Sequence, residues 1–317
     1  MRILAALLLG YNLLIGRVGA EVVGGSAGAP EMPSGMTSSA KTEMDRAIGA
    51  MLEREDQQGR GTDAPQRRVS HGGRVVYIAR GCSSVQKDFD ILFHFHGAPT
   101  AMEPAFDHSG IDGVLVMLNY GIGSGAYEDA FQMPRSFPDF LASVNQEIRD
   151  LCPGAAGFRR IALSGWSAGY GGIWRIIDRS ANADRVDAVL LSDGLHAGFE
   201  PDKERQRVVN GAQMAAYTLF ADRAVSGEKL FAITHSSIVT PYASTTETSS
   251  YLLQQENLQR TPVAEPGPRP NMRMTSRADR GHFHVRGYAG NDKPDHCDHL
   301  HAIGDTLLPY LRERWAR

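Results

Sequence analysis

Residues 159–172 read Arg159-Arg-Ile-Ala-Leu-Ser-Gly-Trp-Ser-Ala-Gly-Tyr-Gly-Gly172. Residues 160–163 are a short apolar, β-branched run of strand character, and residues 168–179 have helical character. Gly165-Trp166-Ser167-Ala168-Gly169 is therefore a tight strand-to-helix turn with a serine at its apex. Such a turn needs glycine on both sides, because side chains at 165 and 169 would obstruct its close backbone approaches. Ser167 then projects from the sheet edge at the start of a helix, where the Ala168 amide points at any negative charge that develops nearby. A strand that feeds straight into a helix also implies parallel strands joined by helical crossovers.

The rest of the chain repeats that alternation. Further runs of strand character are residues 74–79 (RVVYIA), 90–95 (DILFHF), 113–118 (GVLVML), 186–191 (VDAVLL), 229–234 (KLFAIT) and a more polar one at 282–288 (HFHVRGY). Helical stretches are expected at 137–150, 245–255 and 303–315, the last with Leu307, Leu308, Leu311 and Trp315 at core-facing spacing. The fold class expected is α/β: a mostly parallel central sheet with helices on both faces, over residues 69–317. No repeat at a solenoid or propeller period is present.

The 317 residues are 42% hydrophobic and 22% charged, enough for a sizeable core. With 33 basic against 36 acidic residues, the net charge of -3 provides no field to hold a polyanion, so nucleic acid is not an expected partner. Residues 1–20 open with Met1-Arg2, continue as an apolar run of about 14 residues and end in Val18-Gly19-Ala20, the pattern of a cleaved secretory signal. That run is short of the roughly 20 residues a bilayer span needs, and no membrane span is expected in the mature chain. Residues 21–68 are expected to be a flexible lead-in with one helix after Ser38 or Ser39. Three cysteines allow one disulfide at most, with Cys82 and Cys152 as the candidate pair and Cys297 as the free thiol.

The Gly165–Gly169 turn, together with Phe93-His94-Phe95-His96-Gly97-Ala98-Pro99 upstream, resembles the α/β-hydrolase superfamily, and in particular its secreted serine esterases and lipases. The resemblance covers residues 69–317. It implies a serine hydrolase that cleaves a carboxylic ester through an acyl-enzyme on Ser167, without a cofactor. It also implies an oxyanion hole built from the Ala168 amide and one from Gly97 or Ala98, since Pro99 has no amide hydrogen to offer. In this superfamily an acid and then a histidine follow the serine in chain order. Asp193, immediately after the strand 186–191, is the expected acid. The commoner position, after the strand 229–234, holds no carboxylate before Glu247, which is the rival.

Five histidines, His282, His284, His296, His299 and His301, follow within twenty residues. His282 and His284 share one face of the last strand and are expected to be structural or to line the site. His296 and His299 fall in the stretch 290–300, expected as a loop, where the superfamily carries its base. Position slightly favours His299, and the two remain open. The same region offers nine oxygen, nitrogen and sulfur ligands, but with no H-E-x-x-H or paired C-x-x-C spacing, so no metal is expected. A peptidase or amidase of the same fold, a metal-dependent enzyme and a non-catalytic binding protein are the alternatives. Residues 119–127 (NYGIGSGAY) form a Gly-rich rim too sparse for a greasy lid. Tyr120, His96 and Trp166 are expected to line the site for a small acyl substrate.

Overall fold

Six apolar runs align side by side in one direction, which places all of their C-terminal ends along one edge of a sheet. The computed structural model describes residues 64–70 and 72–316. The expected signal sequence, the helix expected after Ser38 or Ser39 and most of the expected lead-in lie outside the described residues. In chain order the strands are β1 (Gln66–Ser70), β2 (Arg74–Ile78), β3 (Phe89–Phe95), β4 (Gly113–Leu118), β5 (Phe158–Trp166), β6 (Val186–Ser192), β7 (Leu230–His235), β8 (Thr261–Glu265), β9 (Met274–Arg280) and β10 (Phe283–Tyr288). The helices are α1 (Pro99–Ser109), α2 (Ser124–Ala130), α3 (Ser136–Leu151), α4 (Tyr170–Ile177), α5 (Ser180–Arg185), α6 (Gly211–Val225), α7 (Thr245–Gln255), α8 (Lys293–His301), α9 (Ile303–Thr306) and α10 (Leu308–Ala316).

The sheet order is β1-β2-β4-β3-β5-β6-β7-β10-β9-β8. Strands β4, β3, β5, β6, β7 and β10 are mutually parallel, whereas β1 and β2 on one side and β9 and β8 on the other join antiparallel. The expectation of a mostly parallel sheet is thus corrected to a mixed one, with a parallel centre and antiparallel edges. The physical reason lies in burial. Central strands are covered on both faces and read as continuous apolar runs, but β8 (TPVAE) and β9 (MTSRADR) are largely exposed and carry polar residues that hide them from an apolar search.

Alternation along the central strands sorts the core into two layers. Ile91, Phe93 and Phe95 of β3, with Leu163, Val189, Leu191 and Ile233, pack with residues of α2, α3, α4, α6 and α7. Leu92, Ala162, Leu190 and Ala232 face the other way and pack with Met102 and Phe106 of α1 and with Leu300, Ile303, Leu308 and Leu311 of the C-terminal helices. Helices therefore cover both faces. The helix expected over 303–315 is divided at Leu307 into α9 and α10. Two stretches read as loops are helical: α2 begins inside the Gly-rich rim, and α8 carries the histidines of the stretch 290–300. Apolar periodicity misses α8 because only His299 and Leu300 are buried in it. Its signal is the cap: Asp292 accepts from the Asp295 amide and Asp295 reciprocates, with Pro294 in the first turn.

No helix among the described residues is long and apolar enough to cross a membrane. Cys82 and Cys152 are joined in a disulfide with 5.2 Å between their Cα atoms, tying the turn after β2 to the end of α3, and Cys297 is free. The bridge closes a loop across 70 positions. A Cys82→Ser variant is expected to lose about 2–5 kcal/mol of unfolding free energy, read from urea midpoints with and without reductant. Equal midpoints for the variant and the oxidised protein would show that the bridge contributes nothing.

Candidate active site

The parallel strands deliver their C-terminal ends to a common edge, and the residues singled out by the sequence gather there. β5 ends at Trp166, and Ser167–Gly169 make a tight 3-10 turn into α4. Ser167 has φ +50°, in the left-handed region that costs a non-glycine residue about 1–2 kcal/mol. Two other non-glycine residues with positive φ, His96 (+65°) and Asp193 (+42°), end the neighbouring strands β3 and β6. The turn is held by backbone contacts that leave no room for a side chain. A Cβ on Gly169 would overlap the Phe95 carbonyl, and one on Gly194 would overlap the backbone of Ser167.

Asp193 follows β6 directly and is 4% exposed. One carboxylate oxygen, Oδ2, is 2.7 Å from His296 Nδ1, and the other accepts the Ser236 amide at 2.8 Å. Burial by itself would raise its pKa. The His296 hydrogen bond, the charges of His299 and His296 and the Ser236 amide outweigh that and hold it well below the usual carboxylate range. An ionised carboxylate only accepts, so His296 carries a proton on Nδ1, and the tautomer this fixes for the neutral ring has its lone pair on Nε2. The His296 ring lies 4.9 Å from the Trp166 ring at a tilt of 30°, and its backbone carbonyl accepts the Trp166 indole N–H at 2.9 Å. His296 is thereby placed beside the serine turn.

His299, which position along the chain slightly favoured, is not paired with Asp193. Its Nδ1 is 2.9 Å from Thr234 Oγ1, its carbonyl accepts from Ser192 Oγ at 2.9 Å, and its Nε2 is buried without a partner. At 1% exposure it belongs to the packing of α8 on the sheet, and burial lowers its pKa. The two imidazoles lie on the same face of α8 about one turn apart, and at that spacing His296 reaches Asp193 while His299 reaches Thr234. Glu247 is engaged elsewhere: it closes the capping box of α7 with Ser244 and pairs with Arg207 Nε at 2.5 Å.

The turn after β3 is more occupied than expected. The Gly97 amide donates to Asn119 Oδ1 at 3.0 Å, and Asn119 Nδ2 donates back to the Gly97 carbonyl at 2.8 Å. The Gly97 amide hydrogen, expected as one choice of oxyanion donor, is thus engaged by Asn119. Ala98 stands at the head of α1, where its carbonyl accepts from Ala101 and Met102. His94 is fully buried under this turn, with Nδ1 2.5 Å from Ser164 Oγ.

His96 Nδ1 is 2.9 Å from the Tyr127 hydroxyl, which also meets the Tyr120 amide at 3.3 Å and the Gly121 carbonyl at 3.1 Å. That hydroxyl has one proton. It goes to the Gly121 carbonyl, so His96 donates from Nδ1 and keeps its lone pair on Nε2. Burial and the neighbouring His296 push the His96 pKa down to about 4. Tyr120 is half-buried against Tyr127, with 5.5 Å between the rings, and belongs to the support of His96. Asn119 and Tyr127, the two side chains that fix this turn, escape sequence reasoning. The only signal was their position in the segment after β4.

The remaining expected ligands disperse. His282 Nδ1 meets Arg314 at the opposite end of the sheet, and His284 Nδ1 pairs with Asp279 at 2.6 Å. Among the described residues no group of three His, Cys, Asp or Glu side chains converges to hold a metal ion.

No protein-family model matches the chain, and no curated protein matches it. Solved structures similar to it include a hyperthermophilic esterase from the archaeon Pyrobaculum calidifontis, with 14% identity over 87% of this chain and 92% of that one and a TM-score of 0.45. Ferric enterobactin esterase from Salmonella typhimurium is 12% identical over 82% of this chain and 61% of that one, with a TM-score of 0.46. An ester-hydrolase from the metagenome of Lake Arreo is 10% identical over 84% and 89%, with a TM-score of 0.43.

Two buried histidines behind the site give a stability signature. Burial pushes His94 and His235 down to about 3 each. In the unfolded chain they titrate near 6.5. Their neutral burial is therefore fully tolerated above pH 6.5, and stability is lost as pH falls from 6.5 toward 3, by up to about 1.4 kcal/mol per pH unit for each histidine. Urea midpoints are expected to fall steadily from pH 7 to pH 4.5. A flat profile there would show that these imidazoles are not buried as neutral groups.

Proposed function

We propose that this protein is a secreted serine hydrolase that cleaves a carboxylic ester of small-molecule size, with Ser167 as nucleophile, His296 as base and Asp193 as the acid that orients it. The observation that carries the reading is the ionised Asp193 carboxylate 2.7 Å from His296 Nδ1, beside a strained serine turn against which Gly194 is pressed. In the proposed reaction His296 Nε2 takes the Ser167 hydroxyl proton as Oγ attacks the ester carbonyl. The tetrahedral oxyanion is met by the Ala168 amide and by the amide of Ala98. Collapse of that intermediate breaks the bond to the alkoxy oxygen, which receives the proton from the His296 imidazolium and leaves as the alcohol. Water then attacks the acyl-enzyme by the same relay in reverse, releasing the acid and restoring Ser167.

Asp193 contributes without changing its own protonation. Its carboxylate fixes the His296 tautomer and stabilises the imidazolium that forms during turnover. The proposal uses no cofactor at any step. Export rests on residues 1–20 and agrees with a disulfide between Cys82 and Cys152, a bond that persists in oxidising compartments.

Covalent labelling by a fluorophosphonate, followed by peptide mapping, tests the reading without a guess at the substrate. The label is expected on Ser167. Replacement of Ser167 by Ala should lower the rate at least about 10³-fold with little change in the thermal transition, and replacement of His296 by Ala should lower the rate as much. His299→Ala should instead act mainly on stability. Labelling of the wild-type protein at another residue, or loss of labelling in folded His299→Ala with His296→Ala still reactive, would overturn the assignment.

A further inference from the structure

We infer that Trp166 is a positioning residue for the base His296, and not a wall for the substrate. This rests on the proposed role of His296. Two imidazoles pack against the indole: the His96 ring, 5.1 Å between centroids and 11° between planes, and the His296 ring, at 4.9 Å and 30°. Its single polar group is committed as well, because Nε1 donates to the backbone carbonyl of His296 at 2.9 Å. Trp166 is thus held against His296 by both a ring contact and a hydrogen bond.

The far side of this stack is fixed independently. His96 is tied to the Tyr127 hydroxyl at 2.9 Å, and Tyr127 is itself fully buried. A continuous series of Tyr127, His96, Trp166, His296 and Asp193 thus runs from α2 across the ends of three strands and into α8. Trp166 is the one member that touches both the ring and the backbone of His296. It is also the residue directly before Ser167, so the nucleophile and the surface that supports its base are set by the same turn. When His296 becomes an imidazolium during turnover it lies over an indole face, which attracts a cation. His96, the other imidazole packed on this indole, is held neutral by burial, so it adds no opposing positive charge.

Stopped-flow inactivation by a fluorophosphonate separates this role from substrate binding, because it yields a maximal rate, kinact, and an apparent affinity, KI. In that step Ser167 Oγ bonds to phosphorus, fluoride leaves, and the Ser167 proton passes to His296. Trp166→Leu is expected to lower kinact about thirtyfold with KI within about twofold, as ring contact and hydrogen bond are both lost. Trp166→Phe keeps a ring face and should recover most of that loss. His96→Leu removes the support behind the indole and should lower kinact about fivefold, again at constant KI; it carries the test if Trp166→Leu does not fold. A raised KI with kinact unchanged would make Trp166 a substrate contact, and unchanged constants in all three variants would likewise overturn the inference. Failure of the wild-type protein to be labelled at Ser167 would instead overturn the underlying assignment of the nucleophile.

Discussion

Everything at the active edge depends on backbone approaching backbone where strand ends meet. Gly169 lies against the carbonyl that ends β3, and Gly194, two residues past the β6 terminus, lies against Ser167. Neither position can carry a Cβ without pushing strands apart. These contacts tie the turn after β5 to its two neighbours in the sheet. The non-glycine residues held there at positive φ, His96, Ser167 and Asp193, store strain of about 1–2 kcal/mol each, and packing of the two core layers must offset it. The site is thus built on the rigid part of the fold and not on loops that are free to rearrange.

Placement by secondary structure then separates histidines that look alike in the sequence. His94 and His235 are buried and held neutral, with hydrogen bonds to Ser164, Thr246 and Arg260. His299 is closed in by Thr234 and Tyr288. His282 and His284 hold Arg314 and Asp279 away from the edge. Among the described histidines, His296 is the one hydrogen-bonded to the buried Asp193 carboxylate beside the Ser167 turn. A dense cluster of potential ligands in the sequence is therefore not a cluster in space, because a strand, a helix and their opposite ends distribute it.

The sequence by itself determined the parallel centre of the sheet, the serine turn and the place of Asp193 at a strand end. β4 and α7 occupy the very residues expected, and β3, β6, β7 and β10 differ by about one residue at an end. Continuous apolar runs bounded by glycine are a local signal, and so is a G-x-S-x-G turn between strand and helix. Asp193 was legible for the same reason, as a carboxylate at a strand end. Antiparallel edge strands such as β8 and β9 were not legible, since one solvent-facing side leaves them without an apolar run.

Only the tertiary structure decided between His296 and His299, and only it showed that the Gly97 amide is taken by Asn119. Both questions turn on direction and not on residue type. Two histidines three positions apart have the same chemistry and nearly the same place along the chain. Which one meets Asp193 depends on the residues 290–300 being a helix, docked by Leu300 and anchored by the indole of Trp166 from 130 positions earlier. A capping box can announce that helix, but its rotation about its own axis is set by long-range packing, which no local pattern records.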